Sequence, residues 1–291
     1  MKKIHILSIS QFNNSKLGNE FYTNTIENHI THTHLHIDRP HKHDFYVTVI
    51  FTSGHGVHEI DFETYEIKPG SLFFLTPGQV HNWKLSKDIS GYIFFHTQAF
   101  FEQDFSRNHI QNFPFFNYNQ NIPVLYLENN KINYFSNLFQ HLMHENQINK
   151  IFKSEKILSL INLIYIDCAR EYLIDIPKTE INKNTYSRQF NEFQQLVENN
   201  YKKQKSATFY AEKLNVSAKH LNRICQTVLG KTTTEYIINR VLLEAKREII
   251  YQKHSLSEIA YHLGYDDYAY FSRIFKKHFN ETPSDFINKY R

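Results

Sequence analysis

The chain has 291 residues, of which 41% are hydrophobic, 15% aromatic and 21% charged, and its formal net charge is +4. This length favours two domains, and the composition excludes a largely disordered or low-complexity protein. No segment approaches the roughly 18 consecutive apolar residues that span a membrane, and the N-terminal segment MKKIHILSISQFNN lacks the apolar core of a signal peptide, so we expect a cytoplasmic protein with no membrane partner.

The charge is distributed unevenly along the chain. Residues 185–291 carry 17 Lys and Arg against 11 Asp and Glu, a net charge of +6. Residues 1–184 carry 16 against 18, together with 14 of the 18 histidines. The basic part is therefore where binding of a polyanion is expected.

A histidine-rich segment, THTHLHIDRPHKH, occupies residues 31–43. Residues two apart share one face of a strand. This spacing could therefore align His32, His34 and His36 on one strand and His41 and His43 on another. We expect the first three to be solvated residues of a lead-in strand without a ligand role.

Short segments rich in β-branched and aromatic residues follow each other between about residues 29 and 98. They are VTVIF, VHEIDF, YEI, SLFFL and YIFFH, and turn signals such as SGHG, KPG and TPGQ separate them. Five or more strands at this spacing predict a small antiparallel barrel or sandwich.

Helical periodicity replaces the strand pattern between about residues 131 and 173. Apolar residues recur at i, i+3, i+4 and i+7, which predicts two amphipathic helices joined near Gln147 to Ser154. Their apolar stripe suits a homodimer interface, which we expect, and packing on the barrel of the same chain is the alternative. Residues 174–184 lack an apolar period and predict a linker.

Cys168 and Cys225 match no CxxC or zinc-finger spacing, and we expect both to be reduced thiols.

An internal repeat is the strongest signal in the basic part. Residues 210–230, YAEKLNVSAKHLNRICQTVLG, correspond to residues 259–279, IAYHLGYDDYAYFSRIFKKHF. A small Ala, a Leu three residues later, a tight turn and a second amphipathic helix are typical of a helix-turn-helix. Ser217 and Asp267 can cap the second helix of each copy, and Thr232 to Glu235 and Ser255 to Glu258 fit capping boxes.

A continuous helix is predicted between the two copies. The segment EYIINRVLLEAKREII indicates about 18 helical residues, or roughly 27 Å at 1.5 Å per residue. Two recognition helices separated in this way could reach successive faces of the DNA major groove, which repeat about every 34 Å.

Helical spacing also indicates which side chains could contact DNA. In the first recognition helix the outward positions are Lys219, Asn222, Arg223 and Gln226, and in the second they are Tyr268, Ser272 and Arg273. Arg and Asn are typical readers of base edges, whereas Lys276 and Lys277 are placed to contact phosphate. For each arginine the alternative is an intradomain salt bridge or a phosphate contact alone.

These C-terminal residues resemble the DNA-binding domain of AraC/XylS-type transcription regulators. The segment GYDDYAYFSRIFKKHFNETPSDFI resembles the signature of that family around its second helix-turn-helix. Cys225, Ala269 and Thr233 depart from the family pattern, in which an aromatic residue, a Ser and a Pro are usual, and none of these departures removes a charged residue that could read DNA.

The N-terminal part resembles the cupin-like effector domain of many such regulators. RPHKHDFYVTVIFTSGHGVHEIDF and YEIKPGSLFFLTPGQVHNW carry this resemblance, and within the family the chain looks most similar to activators that respond to aromatic acids such as 4-hydroxybenzoate. The resemblance implies an α+β fold: an N-terminal cupin-like β-barrel plus a helical pair, followed by an all-α domain with tandem helix-turn-helix motifs.

The domain boundaries that this implies are residues 1–130 for the effector-binding barrel, 131–176 for the helical pair, 177–184 for the linker and 185–291 for the DNA-binding domain. The implied function is a sequence-specific transcription activator. Its partners would be double-stranded DNA, a small effector and RNA polymerase.

The same resemblance bears on metal binding. Metal-binding cupins carry an HxH pair, a Glu four residues later and a distant His, and here His41, His43 and His81 match the histidines while Val47 occupies the acid position. We therefore expect no metal or other cofactor, with His41, His43 and His81 as the ligands of any metal that does bind.

The barrel is instead expected to recognise an effector. The predicted contacts are Arg39, His43, Tyr46, His81 and Trp83. The alternatives are a metal-dependent cupin enzyme fused to a DNA-binding module, which we do not favour, and a barrel that only dimerises or binds a protein.

Overall fold

The computed structural model describes residues 6–12, 20–33, 37–103, 110, 113–116, 122–174, 184–251 and 254–290. They fall into two compact units, one containing the described residues up to 174 and the other containing residues 184–290. Most of the predicted linker lies outside the described residues. The finer boundaries at residues 130, 176 and 184 remain predictions.

Two five-stranded sheets form the first unit. One sheet has the order β1 (Ile6–Leu7), β3 (His41–His43), β8 (Val80–Leu85), β5 (Gly56–Ile60) and β6 (Glu63–Ile67). The other has the order β10 (Val124–Tyr126), β7 (Ser71–Leu75), β4 (Tyr46–Ser53), β9 (Ser90–His96) and β2 (Phe21–Thr25). Neighbouring strands are antiparallel except β1 and β3. The predicted segments VTVIF, YEI, SLFFL and YIFFH lie within β4, β6, β7 and β9, and VHEIDF lies in β5 as far as Ile60 and then ends in a turn.

The segment before the HxH pair is helical where a lead-in strand was expected. α1 covers Ile26–Asn28, and a π-helical turn covers His29–Thr33. The Thr25 side chain accepts a hydrogen bond from the Asn28 N–H at 3.3 Å and starts the helix, and Ile26 and His29 are buried. The strand expectation is therefore wrong for residues 29–33. The side chain of His32, and all of His34 and His36, lie outside the described residues.

The central strand β4 separates two apolar clusters. Because side chains alternate along a strand, Val47, Val49 and Phe51 pack between the sheets, in the cluster that also holds Trp83 and Phe95. Tyr46 and Ile50 belong to the cluster on the opposite face. The β4 residues that share the space between the sheets with His41 and His43 are thus the odd-numbered residues of that strand.

Two long helices cover that opposite face. After α2 (Gln98–Glu102) come α3 (Asn129–Gln147) and α4 (Lys153–Tyr172), while short 3₁₀ turns lie at Ile9–Gln11 and Pro114–Phe116. The apolar stripes of α3 and α4, including Phe139 and Ile161, are buried with Phe74 and Phe94 of the sheet. Burial of such stripes is the main source of stability of amphipathic helices. The apolar stripes were predicted to form a homodimer interface or to pack on the barrel of the same chain. In the structure they pack on the barrel of their own chain.

The second unit is entirely helical in the residues described. It contains α5 (Asn184–Asn200), α6 (Ala207–Lys213), α7 (Ala218–Leu229), α8 (Thr233–Tyr251), α9 (Leu256–His262), α10 (Tyr268–Phe279) and α11 (Pro283–Tyr290). α6 with α7 and α9 with α10 are the two predicted helix-turn-helix motifs, and α8 is the predicted connecting helix. The α+β fold class is therefore confirmed.

Local signals set the ends of these helices. The Ser217 hydroxyl accepts the His220 N–H, and the Asp267 carboxylate accepts the N–H groups of Ala269 and Tyr270. The turns of the two motifs contain Asn215 at φ 55° and Gly264 at φ 73°. A Cβ at Gly264 would lie 2.0 Å from the Lys202 carbonyl oxygen, so this turn requires glycine.

Among the described residues, none of the helices is both long enough and apolar enough to cross a membrane.

Candidate functional site

Three buried histidines meet inside the barrel. β3 directs His41 and His43 to the same side, and the pairing of β3 with β8 sets His81 directly opposite His41. Their exposed fractions are 4%, 4% and 1%. One ring nitrogen from each side chain lies within 4.8 Å of the others, and no carboxylate belongs to this described group. The structure thus brings together the three histidines that match the cupin pattern.

Hydrogen bonds orient two of these rings. His41 Nδ1 lies 2.8 Å from the Arg39 carbonyl oxygen, and His81 Nδ1 lies 2.9 Å from His58 Nε2. Burial lowers the pKa of His41 to about 4 and holds the pKa of His58 well below its ordinary value. Both rings are therefore neutral at neutral pH. His58 was not predicted, although alternation in VHEIDF places it on the same side as the buried Ile60.

Val47 fills the position where a cupin acid would lie. It is fully buried, and its strand neighbours in β7 and β9 are Leu75 and Phe95. The nearby carboxylate of Asp44 is exposed, as alternation from His43 predicts.

An open groove of about 570 Å³ lies beside the histidines. Its apolar lining comes from Ile30, Ile37, Trp83 and Leu85, and its polar lining includes Asp38, His55, Lys84 and Ser86. Trp83 connects the groove to the histidines, since its ring centroid lies 5.2 Å from that of His81. The indole N–H of Trp83 has no hydrogen-bond partner among the described residues.

The five predicted effector contacts do not converge. His43, His81 and Trp83 lie in one region, but Tyr46 lies on the other face of β4, where its ring stacks 5.5 Å from His96. Arg39 is exposed in the turn before β3, and its side chain is not part of the groove. The structure does not bring Tyr46 and Arg39 together with the other three, because strand alternation and the turn direct them elsewhere. The groove residues Lys84 and His55 were missed.

A polar network crosses the boundary between the barrel and α4. The Tyr165 hydroxyl lies 3.0 Å from Thr48 Oγ1 and 2.7 Å from His96 Nε2, and His96 Nδ1 lies 3.0 Å from the Thr97 carbonyl oxygen. Burial raises the pKa of Tyr165 well above its ordinary value and lowers the pKa of His96 to about 4. All three polar side chains are therefore uncharged at neutral pH.

The first recognition helix, α7, presents Lys219, Arg223 and Gln226 to solvent. Arg223 Nη2 lies 2.7 Å from His220 Nδ1, and the guanidinium lies 5.8 Å from the Tyr186 ring. Asn222 is half-buried, and its Oδ1 accepts the Thr233 N–H at 3.1 Å at the start of α8. This contact gives Asn222 a role in holding α8 that helical spacing did not predict.

The second recognition helix, α10, presents Arg273, Lys276 and Lys277. Tyr268 and Ser272, predicted to face outward, are half-buried, and the exposed aromatic residue is Tyr270, whose ring lies 6.0 Å from the Arg273 guanidinium. In the part of the chain that the structure describes, neither Arg223 nor Arg273 pairs with a carboxylate.

Comparison with known proteins finds one family match in each of the two structural units. The family model described as an AraC-like ligand binding domain matches residues 25–161, and one described as a helix-turn-helix domain matches residues 210–289. The HTH-type transcriptional activator RhaS of Yersinia pestis is 23% identical over 257 residues, which cover 84% of this chain and 87% of that protein. The probable transcription factor PqrA of Proteus vulgaris is 43% identical over 76 residues, which cover 26% of this chain and 62% of that protein.

Among solved structures, ToxT from Vibrio cholerae is similar to this chain at 16% identity and a TM-score of 0.43, covering 93% of this chain and 98% of that one. The C-terminal domain of the response regulator YesN from Fusobacterium nucleatum covers 33% of this chain and 93% of its own at 26% identity and a TM-score of 0.32. The two family matches lie on the two structural units, and together they span about three quarters of the chain. The chain belongs to the AraC family of transcription regulators, with an N-terminal ligand-binding domain and a C-terminal helix-turn-helix domain that binds DNA.

Proposed function

We propose that this protein is a transcription activator that reads double-stranded DNA with both helix-turn-helix motifs and responds to a small aromatic acid in its N-terminal domain. The observation that supports DNA binding is that α7 and α10 each expose an arginine that has no carboxylate partner among the described residues. An arginine that is not paired with a carboxylate can donate its N–H groups to O6 and N7 of a guanine.

The spacing of the motifs supports simultaneous binding. α8 has 19 residues, which gives a length of about 28 Å, comparable with the roughly 34 Å between successive major-groove faces. In this proposal Arg223, Gln226 and Arg273 read bases, with Ser272 and Tyr268 at the edge of the contact, and Lys219, Lys276 and Lys277 bind phosphates.

The groove beside Trp83 supports the choice of effector. An aromatic ring fits against Ile30, Ile37 and Trp83, and Lys84 supplies a cation for a carboxylate. Asp38 also lines the groove and would repel a second anion, but it can accept a hydrogen bond from a hydroxyl group. A cation at Lys84 together with a hydrogen-bond acceptor at Asp38 favours a hydroxylated aromatic acid, such as 4-hydroxybenzoate.

Intrinsic fluorescence tests the effector directly, because Trp83 is the only tryptophan of the chain. Titration with 4-hydroxybenzoate should give a saturable change in tryptophan emission, and Lys84→Met should weaken it, whereas Lys87→Met, at an exposed lysine outside the groove, should not. If neither hydroxylated nor unsubstituted benzoates change the tryptophan emission, an aromatic-acid effector would be contradicted. The proposal of DNA binding would not be affected by that result.

DNA binding and activation need a separate measurement. Selection of binding sites from random duplexes, followed by transcription in vitro with RNA polymerase, should yield a defined operator and an increase in transcript. Repression from that operator would contradict activation, and the absence of any preferred sequence would contradict specific reading. In this proposal the protein acts in the cytoplasm, and the barrel is a sensor rather than an enzyme, because residues 25–161 match a ligand-binding domain.

A homodimer completes the proposal. The apolar stripes of α3 and α4 are already buried, so the interface must use other residues. Ile151 and Phe152, between these helices, are 85% and 70% exposed. Clustered exposed apolar side chains of this kind mark interaction surfaces.

A further inference from the structure

We propose that Lys205 ties the first helix-turn-helix motif to the turn of the second and thereby sets the orientation of α10 relative to α7. Lys205 lies just before α6, the first helix of the first motif, and Gly264 lies in the turn between α9 and α10. Lys205 Nζ donates a hydrogen bond to the Gly264 carbonyl oxygen at 2.9 Å. This inference rests on the proposed reading of DNA by both motifs and adds a residue that positions them.

The Lys205 ammonium contacts three groups. Besides the Gly264 carbonyl, Nζ donates to the Lys202 carbonyl oxygen at 3.2 Å, and it lies 4.6 Å from the centroid of the Tyr265 ring. A lysine ammonium has three N–H donors and is attracted to the face of an aromatic ring. Burial lowers the pKa of Lys205, while the charge of Asp266 acts in the opposite direction. The ammonium thus joins two segments that are 59 residues apart in the chain.

The segment that carries Lys205 is itself held in place. The Gln204 N–H donates to the Asn200 carbonyl oxygen at 2.8 Å, at the end of α5. Lys202 Nζ lies 3.2 Å from Oε1 of Glu248, a buried residue of α8. Because the segment is anchored to both α5 and α8, Lys205 reaches Gly264 from a fixed position.

The turn that receives this contact leads directly into the second recognition helix. A Cβ at Gly264 would lie 2.0 Å from the Lys202 carbonyl oxygen and 2.7 Å from Lys205 Nζ, so the two segments are closely packed. Tyr265 is buried, and its ring centroid lies 5.3 Å from that of Phe271 in α10. A shift of this turn therefore shifts α10.

The contact matters for binding that uses both motifs. Two linked binding sites gain affinity from each other only when their geometry lets both engage at once. Lys205 acts through the position of α10 and not through a base edge, so it is a positioning residue. Its loss should weaken binding that needs both motifs more than binding that needs one.

The orientation can be measured in the full chain without DNA. Spin labels on Lys219→Cys and Lys277→Cys report the distance between exposed positions of α7 and α10, and both native cysteines are buried. Adding Lys205→Met should broaden the distance distribution, because the turn loses its contact with the ammonium. Adding Lys203→Met, at an exposed lysine of the same segment, should leave the distribution as narrow as in the parent. Equal distributions in the two variants would overturn the inference.

Binding to DNA tests the consequence at fixed salt. For an operator with both half-sites, Lys205→Met should bind at least about tenfold more weakly than wild type, and for operators with one half-site replaced it should stay within about twofold. Lys205→Met should also discriminate less against operators whose half-sites are moved apart. Lys203→Met removes the same charge and should behave as wild type. Lys205→Arg keeps donors for both carbonyls and should lie closer to wild type than Lys205→Met.

Other results of the binding assay have distinct meanings. Equal losses on complete and half operators, with a salt dependence reduced by about one charge, would show that Lys205 contacts phosphate and would overturn the inference. A wild-type chain that binds complete and half operators equally would contradict the proposed reading by both motifs, and the spin-label distances would still decide the role of Lys205. Circular dichroism checks that each variant keeps the wild-type spectrum.

Discussion

Arg223 and Arg273 occupy equivalent positions in the two motifs but have different surroundings. Arg223 already contacts the ring nitrogen of His220, whereas the partner of Arg273 among the described residues is the exposed ring of Tyr270, 6.0 Å away. Neither has a carboxylate partner in the described residues. Arg273 therefore loses less on binding DNA, because fewer existing contacts must be exchanged for a base edge.

Replacing Arg273 should reduce sequence discrimination. Arg273→Ala removes a bidentate donor to guanine, so we expect operator binding to weaken by about 1–3 kcal/mol and binding to bulk DNA to weaken less. Lys277→Ala is the matched control, because loss of a phosphate contact should weaken both similarly and reduce the salt dependence by about one charge. Mobility shifts at fixed salt measure both affinities. Equal losses for Arg273→Ala would remove it from the base-reading residues.

His96 gives the N-terminal domain a pH-dependent stability. It is fully buried, and its two ring nitrogens contact the Tyr165 hydroxyl and the Thr97 carbonyl oxygen. Burial lowers its pKa to about 4 from an ordinary 6.5. The unfolded chain therefore binds more protons than the folded chain between these values, and stability falls as the pH drops below 6.5.

The contribution of His96 can be isolated with a side chain that does not titrate. Between pH 7 and 5.5 its share of the lost unfolding free energy should be about 1 kcal/mol. His96→Gln should show a pH dependence shallower by this amount, although it is less stable overall because the bond to Tyr165 changes. Urea unfolding of both proteins at the two pH values measures the difference. The same slope in both would show that His96 is already protonated or does not titrate in this range.

At the scale of elements, a buried charge network joins α5 to α8. Arg240 Nε lies 2.8 Å from Glu198 Oε1, and Glu244 Oε2 lies 3.3 Å from Arg240 and 3.2 Å from Arg247. The Arg240 guanidinium also lies 4.0 Å from the Tyr201 ring. α8 connects the two DNA-reading motifs, so this network fixes the element on which their spacing depends.

Breaking this network should be costly. Arg240→Met removes the charge-assisted hydrogen bonds from Arg240 to Glu198 and Glu244, and we expect a loss of about 1–3 kcal/mol in unfolding free energy, because a buried cation and its hydrogen bonds are lost while Glu244 keeps its contact with Arg247. The control is Arg170→Met, where the arginine is 75% exposed and pairs with Asp167 within one turn, and its expected cost is below about 1 kcal/mol. Urea denaturation followed by circular dichroism measures both. Similar costs would mean that the network does not support α8.

The elements could be predicted where their signals are local. Capping residues and the repeated Ala-x-x-Leu pattern indicated α6 to α10, and turn signals separated most of the strands. The side of β4 on which Tyr46 lies could not be predicted, because it depends on which face α3 and α4 cover. Asn222 was predicted to be outward for a similar reason, since its contact with Thr233 joins two helices that periodicity treats separately. The helix that begins at residue 26 has a local cap in Thr25, but it also buries His29 among aromatic rings, and this tertiary contact could not be predicted from the sequence.

At the scale of the whole molecule, the proposed dimer would use the turn between α3 and α4. Phe152 has φ 58°, in the left-handed region that non-glycine residues seldom adopt, and its ring is 70% exposed. A strained residue that presents an apolar ring to solvent suggests selection for contact rather than for stability. Its neighbour Ile151 is more exposed still.

Removing this ring should weaken the dimer without unfolding the chain. We choose Phe152→Asn, because asparagine tolerates the left-handed backbone, and expect the dissociation constant to rise at least about tenfold, or 1.4 kcal/mol. The control is Ile122→Asn, at an exposed apolar residue of similar size elsewhere in the same unit, for which no change is expected. Sedimentation equilibrium over a range of concentrations, with and without operator DNA, measures the association. A wild-type chain that remains monomeric throughout would contradict the dimer, and equal effects of the two variants would place its interface away from Phe152.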